Sequence, residues 1–494
     1  MSNPRFVAVS NRLPVKLTRA PDGALISEPG AGGLVSALAP VLRNRGGLWV
    51  GWPGLERDDE LDCTLAEAGR KAGYILKPVD LEPGDADLFY NGFSNQVIWP
   101  LFHDLSSLCR FSPVVWEAYR RANRSFAEVV AGCCSGVDFI WVHDYHLMGV
   151  AEELRRLGVT TPVGFFLHIP FPPLDMFLRL PWRAQVLRSL LAYDLVGFQT
   201  LRDRRNFLYC LKRLMPDVKT RGAGSVLNVS HEGGEVRIGS FPIGIDHKAI
   251  DARARKPDIK EGAERLRESL GARLMILGVD RLDYTKGIPE KLEAYRRALE
   301  KYPELREETV LVQIAVPSRQ EAQGYRELAT QIEQLVCEIN EQFARPGWEP
   351  IRYIARNHDL VELLQHYRAA DMALVTPIKD GMNLVAKEYC AAQVDEHGVL
   401  ILSEFAGASS QMHRWALTVN PHDQDGIADA IHNAITMTAG DRRNRMRHLR
   451  TGVRTYDIYH WVDGFLRAAT QKTLTDYPAW EDYVPAIECE PTLG

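Results

Sequence analysis

The sequence predicts an α/β protein made of two doubly wound parallel-sheet domains, and three observations carry that expectation. Short apolar runs alternate with longer amphipathic stretches from end to end; the runs fall into two groups; and 494 residues suffice for two or three ordinary domains. The first group is RFVAVS, VDFIWVHD, PVGFFLHIP, LVGFQT and VRIGSFPIG, and the second is RLMILGVDR, TVLVQIAV, IRYIA, MALVTPI and GVLILSE. Near-continuous apolar runs mark strands covered on both faces, as in parallel sheets wound with helices. The first domain is expected over residues 1–243 and the second over 247–455. Between the groups, DHKAIDARARKPDIKEGAERLRESLGA is charged and poor in strand formers, and reads as a helical hinge region. An amphipathic helix within 456–475 is expected to pack back on the N-terminal domain, and 476–494 reads as a loose tail. Two such domains facing a central cleft would bring the carboxyl ends of both sheets to it, where ligands bind in this architecture.

Composition narrows the function classes. With 46% hydrophobic and 25% charged residues the chain has the balance of a soluble globular protein, which excludes disorder as its main state. The formal net charge of −5 removes the broad positive field that non-specific nucleic-acid binding needs, so no nucleic-acid partner is expected and any basic groups that matter act locally. Eight cysteines without a Cys-x-x-Cys pair fit reduced thiols in a cytoplasmic protein, and vicinal Cys133 and Cys134 read as small buried apolar groups rather than a redox pair. No signal-peptide pattern opens the chain and no eighteen apolar residues run together, so neither secretion nor a membrane span is expected.

The most informative stretch is MALVTPI followed by KDGMNLVAKEY, a strand, a turn with Asp380 and Gly381, and a helix beginning near Asn383. The open N–H groups of Leu384 and Val385 and the positive end of the helix dipole suit a diphosphate. Glu388, a little over one turn in, can accept both hydrogens of a vicinal diol, and Asp380 can take sugar hydroxyls. At the end of RLMILGVDR, the run Arg281-Leu282-Asp283-Tyr284-Thr285-Lys286-Gly287 carries two cations able to meet a departing diphosphate. In the first half, Arg12 follows the first strand, and Gly30, Gly32 and Gly33 allow close backbone approach to a phosphate, although no dinucleotide or P-loop fingerprint is present. Tyr90 and Trp99 in FYNGFSNQVIWPLFH offer amphipathic rings to a sugar. On a strand, Asp144 and His146 would share one face and His143 and Tyr145 the other, which splits a metal-binding trio; no metal is expected, and Asp144 reads as a hydroxyl-binding carboxylate. His168, before Pro170, is a candidate at the cleft edge.

In several strings in one order, SNRLP, AGGL, YNGFSNQVIWPLFH, WVHDYHL, GFFLHIPFP, FPIGID, DRLDYTKG, PSR, DGMNLVAKEY and LILSEFAGA, the chain resembles the trehalose-6-phosphate synthases over residues 5 to 470. The resemblance implies a GT-B fold of two Rossmann-like domains, and a retaining transfer of glucose from a nucleoside diphosphate glucose to glucose 6-phosphate, giving α,α-trehalose 6-phosphate. By that likeness Arg281 and Lys286 hold the donor diphosphate. The run Leu384, Val385, Ala386, Lys387 and Glu388 binds the nucleotide, Asp380 the donor sugar, and Gly32 and Gly33 approach the phosphates. Arg12, Tyr90, Asp144 and Arg319 hold the acceptor sugar and its phosphate, Trp99 is associated with the choice of acceptor anomer, and His168 lies near the donor sugar. His358 stands where an aromatic contacting the base is expected, which leaves UDP-, GDP- and ADP-glucose open as donors, and PSRQE departs from the family pattern just after Arg319. A homo-oligomer, dimer or tetramer, is expected, with no cofactor. Readings from other classes are a sister synthase using glycerol 3-phosphate as acceptor, a non-catalytic sugar-phosphate-binding regulator, and a phosphorylase, which would carry lysine-bound pyridoxal phosphate.

Overall fold

A computed structural model describes residues 6–470 apart from 21–23, 31–32, 46, 56–57, 83, 223, 232, 272 and 319–322. The described residues divide into two compact units, one of 6–243 with 458–470 and the other of 244–457.

The first unit holds β1 (Phe6–Arg12), a small antiparallel hairpin of β2 (Val15–Arg19) and β3 (Leu25–Pro29), then β4 (Gly47–Trp52), β5 (Ile75–Pro78), β6 (Phe139–His143), β7 (Val163–Phe166), β8 (Leu195–Phe198), β9 (Lys219–Arg221), β10 (Val226–His231) and β11 (Gly234–Ser240). Its large sheet runs β5-β4-β1-β6-β7-β8-β11-β10-β9. Seven strands are parallel, and the β11–β10 and β10–β9 pairings are antiparallel. The sheet is therefore mixed at one edge rather than wholly parallel, because β9 ends at Arg221, β10 spans Val226–His231 and β11 starts at Gly234, which leaves connections far shorter than the dozen or more residues that a parallel crossover needs. The central strands are fully buried, as their uninterrupted apolar runs demand: Val7, Ala8, Val9, Val142, Phe165 and Val196 have no exposed surface.

The helix Ile458–Thr470 belongs to this unit. Phe465 stacks on Trp141 at 4.3 Å, and Gly164 on β7 and Gly197 on β8 leave the room its ring fills. Trp461 lies 4.9 Å from Trp141 and edge-on to Phe166, directly beneath the end of β6.

The second unit holds β12 (Leu274–Arg281), β13 (Thr309–Val316), β14 (Ile351–Ile354), β15 (Met372–Val375), β16 (Val399–Ser403) and β17 (Leu417–Val419), all parallel in the order β14-β13-β12-β15-β16-β17. The segment read as a hinge region is instead part of this unit. Its two helices, His247–Ala254 and Pro257–Glu268, pack on the helices Leu384–Ala392 and Leu360–Ala369, and Ala254 and Ile259 are wholly buried. Its charge belongs to the solvent face of amphipathic helices, where Arg253 pairs with Asp258 at 2.6 Å.

Both sheets place their first strand beside their fourth principal one, β1 against β6 and β12 against β15. Connections leave these neighbours toward opposite edges, which opens a crevice at their carboxyl ends, and ligands of doubly wound sheets bind there. None of the described helices is long and apolar enough to cross a membrane. The described cysteines are all free; Cys133 and Cys134 bond helix carbonyls, and burial raises the Cys133 thiol to about 11.

Candidate active site

At the switch point of the first unit, Arg12 ends β1 opposite Trp52, the last residue of β4. Its guanidinium lies 4.0 Å above the Trp52 ring and 5.9 Å from that of Tyr90. Gly54, at φ +88°, admits this placement: a Cβ there would fall 1.8 Å from Arg12 Nη1. Tyr90 stands in a π-helical stretch, Leu88–Ile98, and stacks on His146 at 5.7 Å. Such stretches are uncommon and concentrate at functional sites. The ring of Tyr145 lies 3.9 Å from His146 and 5.8 Å from Trp99. Trp99 is only 5% exposed, so it joins the group at one remove, through Tyr145.

Asp144 does not continue the strand, contrary to the expectation of alternating faces. β6 stops at His143, Asp144 takes φ 75° and ψ 165°, and Tyr145–Leu147 forms a 3₁₀ turn. The sharp turn follows from Asp144 N–H donating to Phe166 O on β7 at 2.8 Å while Leu147 N–H donates to Asp144 O. His143 meets His168 at 3.3 Å and His146 meets Tyr90, so the two imidazoles serve different partners. That backbone corner is one that essentially only glycine visits, and holding another residue there costs on the order of 1–3 kcal/mol. Asp144→Gly is therefore expected to raise the thermal midpoint by a few degrees while lowering kcat/KM for the acceptor by about 10–10²-fold; paired melting and steady-state measurements check it.

His168 N–H donates to Asp144 Oδ1 at 3.2 Å, and its ring packs among His143, Phe166 and Trp461 with one edge open. Burial pushes His168 down to about 3 and His143 well below its ordinary value, so the pair is neutral at physiological pH. Histidines held neutral in the fold take up protons more readily once unfolded. Their contribution is complete above about pH 6.5 and declines as pH falls toward 3. Melting curves between pH 7 and 4 are expected to drop less steeply for His168→Asn than for the parent chain.

In the second unit, β12 ends at Arg281, whose side chain is exposed. Asp283 caps the following 3₁₀ turn, Tyr284–Lys286, by accepting from Thr285 N at 3.0 Å. Lys286 donates from Nζ to Asp380 Oδ2 at 2.5 Å in a pair that is 9% and 14% exposed. The loop bearing Asp380 is laced to the loop after β16: Asp380 N–H donates to Phe405 O, Gly407 N–H to Asp380 O, and Ala408 N–H to Met382 O. This gives the LILSEFAGA string a structural role. Asn383, at φ 76°, caps the helix Leu384–Ala392 by accepting from Ala386 N at 3.2 Å and also donates to Asp380. The first-turn N–H groups of Leu384 and Val385 thus lie beside the Lys286–Asp380 pair.

Glu388 is half-buried and accepts from Tyr367 Oη at 3.0 Å; burial raises its pKa. Lys387 turns elsewhere, its buried Nζ donating to Gln411 at 2.6 Å, and burial lowers it to about 7. His358 lies beyond the edge strand β14, edge-on to His366 at 5.1 Å. The helix that carries His366 also carries Tyr367, which links His358 to Glu388 at one remove. Gly33 opens the helix Gly33–Arg45, whereas Gly32 and Arg319 lie outside the described residues. Residues that the sequence did not point to are Trp52, Gly54 and Tyr367; Asn383 was expected near the start of the helix, and an Asn just before a helical run carries the local signal of the N-cap it forms.

Two doubly wound units, with Arg12 and Asp144 at the strand ends of one and Arg281, Lys286 and Asp380 at those of the other, have the architecture of a glycosyltransferase of the GT-B class. The chain belongs to glycosyltransferase family 20, whose family profile matches residues 4–471. It is 42% identical to the trehalose-6-phosphate synthase of Mycobacterium avium, over 95% of this chain and 96% of the relative, and likewise 42% identical to that of Mycobacterium tuberculosis. A solved structure from E. coli, bound with UDP-2-fluoro glucose, matches with a TM-score of 0.84 at 38% identity over 95% of this chain and 99% of its own. An α,α-trehalose-phosphate synthase (UDP-forming) from Burkholderia xenovorans in complex with glucose-6-phosphate matches with a TM-score of 0.84 at 34% identity, over 94% of this chain and all of its own.

Proposed function

We propose that the protein transfers glucose from a nucleoside diphosphate glucose to the anomeric hydroxyl of glucose 6-phosphate with retention, forming α,α-trehalose 6-phosphate. The observation that carries the reading is the pairing of Lys286 with Asp380 beside the open first turn of the helix Leu384–Ala392, at the switch point of a doubly wound sheet. A cation, a helix N-terminus and a hydroxyl-binding carboxylate lie together where a sugar diphosphate needs all three.

On this reading the donor diphosphate draws Lys286 away from Asp380, which turns to the hydroxyls of the donor glucose. Glu388 accepts from the ribose hydroxyls. Arg281 and Lys286 neutralise the departing diphosphate, and the first-turn N–H groups of the helix add their dipole. In the first unit, Arg12 takes the acceptor phosphate, Tyr90 covers the sugar, and Asp144 accepts from its hydroxyls. Substitution proceeds on the front face: as the bond to C1 of the donor lengthens, the leaving phosphate oxygen takes the proton of the attacking hydroxyl. The neutral His168 fits this chemistry, which asks for no protein base. We extend the reading to a cytoplasmic homo-oligomer, for which light scattering gives the subunit number.

The test incubates the protein with glucose 6-phosphate and each of UDP-, GDP- and ADP-glucose, and follows the product by NMR. Trehalose 6-phosphate with both anomeric centres α supports the proposal and identifies the donor. Absence of transfer with all three, or transfer to glycerol 3-phosphate but not to glucose 6-phosphate, overturns it.

A further inference from the structure

The second unit contains a cavity of about 730 Å³ between the helices His247–Ala254 and Ala439–Thr455, and none of its walls belongs to the loops 281–287 or 380–388. Ligand pockets run to roughly 300–1,000 Å³, so the space suits a small metabolite rather than a single ion.

Its charges do not cancel. Asp251 is taken by Arg255 and Arg450, and Glu396 by Arg447. Arg450 also donates to the carbonyls of Cys390 and Ala391, which fixes it as a structural group. Lys248 and Arg454 remain, facing the single carboxylate of Asp457, and both are exposed with no ion pair to another described residue. A second observation points the same way. His247 is 8% exposed, lines the cavity, and its Nε2 is buried with no hydrogen-bond partner. A buried ring nitrogen left without a partner is destabilising, and an incoming acceptor would recover that loss.

We propose that this cavity binds a phosphomonoester of a polar metabolite, with Lys248 and Arg454 on the phosphate and His247 Nε2 as a third donor. Over the whole lining, the five cations Lys248, Arg255, Arg447, Arg450 and Arg454 exceed the three carboxylates Asp251, Glu396 and Asp457 by two, which matches a dianionic group, and the remaining volume takes the polar body. The site lies where the chain enters and leaves this unit. His247 is three residues from Gly244, and Gly244 packs so closely on Asp457 that a Cβ at 244 would fall 2.3 Å from the Asp457 carbonyl carbon.

Isothermal titration of the full chain with glucose 6-phosphate tests this. The parent protein is expected to bind two equivalents and Lys248→Ala/Arg454→Ala one, with the second restored in Lys248→Arg/Arg454→Lys. His247→Phe is expected to weaken that site by about tenfold. Titration with inorganic phosphate separates the sources: equal affinity at this site means that the phosphate group alone is recognised, and weaker affinity means that the ester is. One equivalent on the parent protein, or two on the double alanine variant, overturns the proposal. Arg12→Ala keeps this outcome apart from the function proposed above: if that variant retains both sites while the double alanine variant loses one, the acceptor assignment fails and this site stands.

Discussion

Replacing Arg281 by alanine is expected to lower kcat by about 10²–10³-fold, the effect of removing one preorganised donor from developing negative charge. The side chain is exposed at the end of β12, so the fold loses little and the melting temperature is expected to stay within a few degrees of the parent. Lysine at this position is expected to restore only part of the rate, since an ammonium replaces the charge without the planar fork that grips two phosphate oxygens. Steady-state kinetics with a saturating donor separate these cases. Near-normal turnover in Arg281→Ala would remove the residue from the mechanism.

The largest loss of stability is expected from Lys291→Met. Lys291 is fully buried on the helix Ile288–Lys301, and its Nζ donates to Asp280 Oδ2 at 2.5 Å; Asp280 is 2% exposed. Gln313 on β13 donates to the same oxygen at 3.0 Å. Removing the cation strands a buried carboxylate, which costs about 3–5 kcal/mol. The pair joins the end of β12 to the helix after it, and the loop with Arg281 and Lys286 is strung between those two points. The same variant should therefore lose turnover as well. Changing both partners, Lys291→Met with Asp280→Leu, removes the stranded charge, and most of the stability is expected to return. Chemical denaturation followed by tryptophan fluorescence measures both.

The sequence made the architecture legible because nearly every principal strand is an uninterrupted apolar run, and such runs arise only where both faces of a sheet are covered. The polar strands β9 and β10 escaped for the converse reason, since KTR and VLNVSH carry no apolar run to mark them, whereas β4 and β5, GLWVGW and ILKP, were missed although they are mostly apolar. Charge misled at 247–268, since an amphipathic helix with a narrow apolar stripe has the composition of a linker until its packing is known. At the candidate site, the placement of Arg281, Lys286 and Asp380 was readable because they lie at or within a few residues of the ends of β12 and β15, where a doubly wound sheet presents its ligands, and Glu388 because it lies in the helix that follows. The positive φ of Asp144 was not, because it arises from the bond between its N–H and Phe166, 22 residues along the chain. Tyr367 and Trp52 reach the site across the fold, and no local spacing encodes such contacts. Lys387 sits inside a telling string, yet one residue's rotation around the helix sends its side chain into the core toward Gln411.

The central claim is that Arg281 and Lys286 hold the leaving diphosphate. A crystal structure with a nucleoside diphosphate and glucose 6-phosphate bound tests it most directly. The predicted result places both cationic groups within hydrogen-bond distance of the diphosphate oxygens, with Lys286 released from Asp380. A diphosphate bound elsewhere, with the Lys286–Asp380 pair intact, would contradict it.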